Sequence, residues 1–147
     1  MEKITTEITL NAELEEVWNQ YTNPESIKGW AFASETWECP YAENDLRAGG
    51  RFVTRMQAKD KSFGFDFTGI YTEVDHLQKI SYTMDKAPDE EIGRECEITF
   101  KALGENTTQV VVVFDSENQN PIEMQKAGWQ AILENFKKYV ETHKIRK

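Results

Sequence analysis

The segment Asn120–His143, NPIEMQKAGWQAILENFKKYVETH, opens with the clearest helix-start signal in the chain. Asn120 offers an N-cap side chain, Pro121 a fixed φ suited to the first helical position, and Glu123 the acid of a capping box. Trp129, Ile132, Leu133, Phe136 and Val140 then recur at three- and four-residue intervals as one continuous apolar stripe. A helix running to about His143 has roughly 23 residues and spans ~34 Å at 1.5 Å per residue. Its stripe must be covered, and the rest of the sequence offers one extended apolar surface for it, the concave face of a sheet.

That sheet is read from the period-two segments between Trp37 and Asp115, separated by Ala48-Gly49-Gly50, Lys59-Asp60-Lys61, Asp75-His76, Ala87-Pro88-Asp89 and Gly104-Glu105-Asn106. Arg51–Ala58 carries Phe52 and Met56 on one face, Lys79–Met84 carries Ile80, Tyr82 and Met84, and Arg94–Ala102 carries Cys96, Ile98 and Phe100. Thr107–Asp115, with valines at 110 to 113, reads as a strand covered on both faces, or at least a central one. In Ser62–Val74 the aromatic face of Phe63, Phe65 and Phe67 is out of phase with Ile70 and Val74, so a bulge is expected near Gly69. A strand bent there curls the sheet around a space.

Toward the N-terminus, Lys3–Leu10 alternates as a half-buried strand with Ile4, Thr6, Ile8 and Leu10 inward. It is expected to pair with the last strand, because alone it would expose an unpaired edge. Asn11 offers an N-cap for a short helix with Leu14, Val17, Trp18 and Tyr21 on one face, ending near Thr22. Asn23-Pro24 starts a second short helix, with Ile27 and Trp30 inward. The order is one strand, two short helices, six strands and one long helix, with no repeat or linker, so residues 1–147 read as one α+β domain.

The 147 residues carry 17 Lys and Arg against 26 Asp and Glu, a net charge of −9. Such a field repels phosphate backbones and anionic headgroups, so neither nucleic acid nor an acidic membrane is an expected partner. The cations gathered at Lys137, Lys138, Lys144, Arg146 and Lys147 suit the C-terminal end of a helix. No apolar run approaches the ~20 residues of a membrane span and no signal sequence is read at the start, which makes the cytoplasm the expected compartment. Cys39 and Cys96 are expected to be reduced, and with only His76 and His143 beside them they form no metal-binding pattern.

Four motifs, in this order, carry a resemblance over nearly the whole chain: Val17-Trp18 with Thr22-Asn23-Pro24-Glu25, Asp45-Leu46-Arg47-Ala48-Gly49-Gly50-Arg51-Phe52, Gly69-Ile70-Tyr71-Thr72-Glu73-Val74 before Ile80, and Gly128-Trp129 with Leu133. The sequence resembles the START-like, SRPBCC or helix-grip superfamily. Within it, the chain resembles the family named for the activator of the ninety-kilodalton heat-shock protein's ATPase, in its single-domain bacterial form. The resemblance implies a seven-stranded sheet gripping the C-terminal helix, with a cavity between them that in many relatives holds an apolar small molecule. It implies no single chemistry, because the superfamily includes carriers, receptors and polyketide cyclases. A heat-shock chaperone is not an expected partner, since the co-chaperone carries a further N-terminal domain.

On this reading the cavity is lined by Trp30, Trp37, Met56, Phe65, Phe67, Tyr82, Met84, Cys96, Ile98, Trp129, Ile132, Leu133 and Phe136, and its ligand is an apolar or aromatic small molecule. No cofactor, no metal and no catalytic residue is assigned. Two histidines without a nucleophile elbow supply no oriented nucleophile and base. An enzyme of the cyclase type, ranked below binding, would draw polar groups from Tyr82, Arg94, Arg55 or Glu97. Arg55 and Glu97, however, share faces with other polar residues and are expected in solvent. A protein-interaction module with a filled interior is the remaining alternative, and the volume of the interior separates it from a binding protein.

Overall fold

A computed structural model describes residues 2–86 and 93–143; the turn expected at Ala87-Pro88-Asp89 and the basic residues Lys144, Arg146 and Lys147 lie outside them. The elements are β1 (Lys3–Leu10), α1 (Leu14–Thr22), α2 (Pro24–Ile27), β2 (Trp37–Asn44), β3 (Arg51–Ala58), β4 (Gly64–Asp75), β5 (Lys79–Met84), β6 (Glu95–Gly104), β7 (Thr107–Asp115) and α3 (Ile122–Thr142). All seven strands form one antiparallel sheet in the order β1-β7-β6-β5-β4-β3-β2. It is a meander from β2 to β7 closed by β1 on the β7 side, which gives the N-terminal strand its expected partner.

Alternation decides which face is covered. In β1 and β7 the buried residues Ile4, Thr6 and Leu10 meet Val110, Val112 and Phe114, with Ile4 opposite Phe114 and Thr6 opposite Val112. The valine run is half-covered rather than sandwiched: Val110 and Val112 are buried while Val111 and Val113 lie partly exposed on the other face. Four apolar residues in a row masked an ordinary period of two.

The bulge of the long strand lies three residues beyond Gly69. Pairing of β4 with β5 slips between Tyr71 and Glu73, leaving Thr72 as the extra residue. Phe65, Phe67, Gly69 and Tyr71 therefore share the concave face, and after the slip Val74 joins them opposite Ile80. Ile70 faces out and is 39% exposed. Gly69 has a packing role instead: a Cβ there would lie 2.5 Å from the Thr83 carbonyl oxygen and 2.7 Å from the Phe52 ring. Bare backbone at this point lets the Phe52 ring lie across β4.

Both expected side-chain caps at Asn11 and Asn120 are absent. The N-cap of α1 is Glu13, after Ala12 has been drawn into the core, and the N-cap of α3 is Pro121; neither makes a side-chain cap hydrogen bond. Asn23 does cap α2, accepting from the Glu25 N–H at 3.0 Å. The entry to α3 is held by a different device. The buried Gln125 accepts from Glu117 N–H (2.9 Å) and donates to the carbonyls of Glu117 (3.0 Å) and Asn120 (2.9 Å). The Glu117 carboxylate accepts from the Gln119 and Asn120 N–H groups and from the Asn120 amide.

α3 lies over the concave face with Leu133, Phe136 and Val140 buried. It also covers the open edge of β1, whose outward backbone groups would otherwise invite pairing. Gln130 accepts from Glu7 N–H and donates to the Glu7 carbonyl (2.9 Å), Lys137 donates to the Thr9 carbonyl (2.7 Å), and Glu141 accepts from Asn11 N–H (2.8 Å). On the other flank, the Asn135 amide donates to the Trp30 carbonyl at 3.0 Å. The helix is thus fixed to β1 on one side and to the segment after α2 on the other, and the space beneath it is bounded by both.

Candidate functional site

A cavity of about 310 Å³ lies between the sheet and α3. Its floor is the concave face: Phe52, Thr54 and Met56 from β3, Phe65, Phe67 and Tyr71 from β4, Ile80 and Tyr82 from β5, Ile98 from β6 and Val112 from β7. Trp129, Ile132 and Leu133 roof it from α3, and Tyr21, Thr22, Ile27, Trp30 and Ala31 close one side. Arg94, just before β6, completes the wall.

Two separately anchored aromatic groups frame the space. On one side Trp30 packs against Phe136 (ring centroids 4.8 Å) and Tyr21 (4.9 Å). On the other, Trp129 stacks on Phe114 at 3.9 Å with planes 12° apart and meets Phe67 edge-on at 6.0 Å, while Phe52 meets Tyr82 at 4.8 Å. Offset-stacked and edge-to-face contacts of this kind each add about 0.5–1.5 kcal/mol to the burial term. A Trp129 anchored on Phe114 has a preferred place other than the void.

Of the residues assigned from the sequence, Trp30, Met56, Phe65, Phe67, Tyr82, Ile98, Trp129, Ile132 and Leu133 meet around this cavity, and Trp37, Met84, Cys96 and Phe136 do not. Trp37, the first residue of β2, lies opposite Ala58 and packs on Phe63 and on the outer side of the lining residue Phe65 without reaching the cavity itself. Met84 and Cys96 are core residues, 3% and 2% exposed, and Phe136 is enclosed by Tyr21 and Trp30. Ten lining residues lie outside the set expected from the sequence: Phe52, Thr54, Tyr71, Ile80, Val112 and Arg94 on the sheet side, and Tyr21, Thr22, Ile27 and Ala31 in or beside α1 and α2. Thr54 was within reach, since it shares the parity of Phe52 and Met56.

The polar side-chain groups of the wall are hydroxyls, the indole N–H groups of Trp30 and Trp129, and one guanidinium. Burial raises the phenols: Tyr71 is pushed up to about 12, with the Asn44 amide pulling it back a little, and Tyr21 and Tyr82 are raised further by burial and neighbouring ionisable groups. All three are neutral at pH 7 and present O–H groups. Burial also pushes the Cys96 thiol, beside Tyr82, up to about 12, and raises Cys39. Both cysteines are free and three strands stand between β2 and β6.

The polar residues weighed for catalysis divide cleanly. Tyr82 and Arg94 line the cavity. Glu97 faces outward to Lys79 at 3.1 Å, and Arg55 to Asp66 at 3.4 Å. Among the described residues no group of three His, Cys, Asp or Glu could hold a metal ion, and no helix is long and apolar enough to cross a membrane.

Comparison with known proteins gives this architecture a family. No curated protein matches the chain. Solved structures do: an AHSA1-like protein from Aeromonas hydrophila is 39% identical, with 99% of each chain covered and a TM-score of 0.87. A protein from Cytophaga hutchinsonii is 45% identical over 98% of this chain and 97% of its own, with a TM-score of 0.77. At 24% identity, a Chromobacterium violaceum protein shares the fold, with 96% and 99% of the two chains covered and a TM-score of 0.81. The family model described as Activator of Hsp90 ATPase homolog 1-like protein matches residues 11–141, from the turn before α1 almost to the end of α3. That span takes in the whole frame of the cavity, and the chain belongs to the Activator of Hsp90 ATPase homolog 1-like family, with its helix-grip fold.

Proposed function

We propose that this protein binds an apolar or aromatic small molecule between its sheet and α3. The observation that carries this reading is the cavity of about 310 Å³ walled by Trp129, Trp30, Phe52, Phe67, Met56 and their aliphatic neighbours. Its size lies at the lower end of the 300–1,000 Å³ usual for small-molecule sites, and aromatic walls with a few polar groups are the usual lining. Met56 adds an adaptable surface. The family's description names an activator of the Hsp90 ATPase. An interaction module of that kind has no need of an unfilled interior, so the cavity favours ligand binding.

A thermal-shift panel of fatty acids, flavonoids and polyketide-like aromatics tests the reading. A ligand at 100 times its Kd stabilises by ~2.7 kcal/mol, which for a chain of this length raises Tm by roughly 5–10 °C. At least one class of compound should produce such a rise, dependent on its concentration. A panel in which no apolar compound stabilises the protein contradicts ligand binding.

A further inference from the structure

The buried serine and threonine hydroxyls of the described residues are paired, with one exception. Thr6 donates to the Val112 carbonyl at 3.4 Å, Thr108 to the Ala12 carbonyl at 2.9 Å and Ser26 to the Gln20 amide oxygen, while Ser116 accepts from the Glu2 N–H at 3.2 Å. Thr54 is buried like these, 8% exposed, yet its hydroxyl has no hydrogen-bond partner among the described residues. It is also the one of the five that lines the cavity.

Thr54 lies in β3 between Phe52 and Met56 on the concave face, paired with Phe67 of β4, whose ring meets Trp129 of α3 at 6.0 Å. Valine has the same branched shape and suits a strand as well, so packing does not account for the hydroxyl. Other hydroxyls of the wall have company: Thr22 donates to the Trp18 carbonyl at 2.9 Å, Tyr71 has the Asn44 amide beside it and Tyr82 the Cys96 thiol. Tyr21, in the side wall, is less deeply buried than Thr54.

A wholly apolar ligand laid over Thr54 would take its hydroxyl out of water and return no hydrogen bond. Nor can the wall itself supply one, because its polar side chains are hydroxyls and N–H donors, with no carbonyl or carboxylate among the described lining residues. What such a wall lacks is an acceptor.

Resting on the binding role proposed above, we propose that Thr54 is the hydrogen-bonding point of the cavity and that the ligand is an apolar molecule bearing a carbonyl. The Thr54 hydroxyl donates to the carbonyl oxygen, and the apolar body lies against Phe67, Trp129 and Met56.

The test compares acetonaphthone with ethylnaphthalene, the same body with and without the carbonyl, by titration followed with protein NMR. Thr54→Val should weaken the ketone about three- to ten-fold, the range of one hydrogen bond between uncharged groups, and leave the hydrocarbon as tight or tighter. Thr54→Ser keeps a hydroxyl and should keep most of the ketone's affinity, and Tyr21→Phe should leave it unchanged. In the wild-type protein, with no variant needed, the carbonyl carbon of labelled acetonaphthone should resonate on binding as it does in an alcohol. A carbonyl signal like that in an alkane, an equal effect of Thr54→Val on both compounds, or a ketone loss found in Tyr21→Phe instead overturns the role of Thr54 while leaving the cavity as a binding site. So does binding of the hydrocarbon alone. Failure of both compounds to bind overturns the binding role as well.

Discussion

Gly69 and Asp115 show how much a single position can carry when its partner is backbone. At Gly69 an added methyl group meets the Thr83 carbonyl oxygen and the Phe52 ring, and the carbonyl belongs to a neighbouring strand that cannot step aside. Gly69→Ala should destabilise by about 1–3 kcal/mol, the usual cost of overpacking, as read by denaturant unfolding. A change within about 0.5 kcal/mol would mean that the two strands part more easily than the packing implies. At Asp115, burial pushes the carboxyl up, and the Lys3 ammonium with the Glu95 N–H outweighs it, so the net value is lowered. The folded value lies below the unfolded one, about 3.9, so the stabilisation is present above that and is lost as pH falls through the folded value. Asp115→Asn should cost about 1–2 kcal/mol at pH 7, less than a fully enclosed pair because Lys3 is largely exposed, and the gap to wild type should close in acid. A gap of constant size from pH 7 down to about pH 2 would remove the charge from the explanation.

The elements differ in how openly the sequence announces them, and the reasons are physical. α3 was legible because a start signal and a 3.6-residue stripe agree; its cap was misread because Asn120 turns to Glu117 while Gln125 reaches back to hold the loop. A Gln one turn into a helix has no pattern that marks it as a clamp, since its partners are backbone groups brought there by the fold. Gln125→Ala deletes three hydrogen bonds at a buried place and should cost about 1–3 kcal/mol in chemical denaturation. Raised hydrogen exchange at the Glu117 amide should accompany the loss; an unchanged amide would show the clamp to be incidental. β4 was legible as a long, bent strand, but a glycine drew the bulge to 69 when the register slips at Thr72. That shift of three residues hid Tyr71 from the list of cavity residues. Arg94 was weighed only as a possible catalyst, because in sequence it is one more charge at a strand start; its place in the wall follows from the curl of the sheet.

At the scale of the whole molecule, the sheet cannot cover both the α3 stripe and its own concave centre. β1 and the segment after α2 grip the flanks of the helix, Trp129 is drawn onto Phe114, Phe136 is drawn between Tyr21 and Trp30, and the volume between these two groups is left unfilled. A space framed by two separately anchored aromatic groups is the central claim, and tryptophan gives a direct view of it. Trp129 and Trp30 line the cavity, whereas the buried Trp18 packs against Phe100 and His76, and Trp37 packs on Phe63 and on the lining residue Phe65 without itself lining the cavity. The decisive measurement is fluorine NMR on fluorotryptophan-labelled protein, with signals assigned by single Trp→Phe variants, during titration with naphthylmethanol, a neutral aromatic probe. Saturable shifts at Trp129 and Trp30, with Trp18 and Trp37 unmoved, are the predicted result; shifts confined to Trp37, or no saturable shift at any tryptophan, would contradict a ligand site between the sheet and the helix.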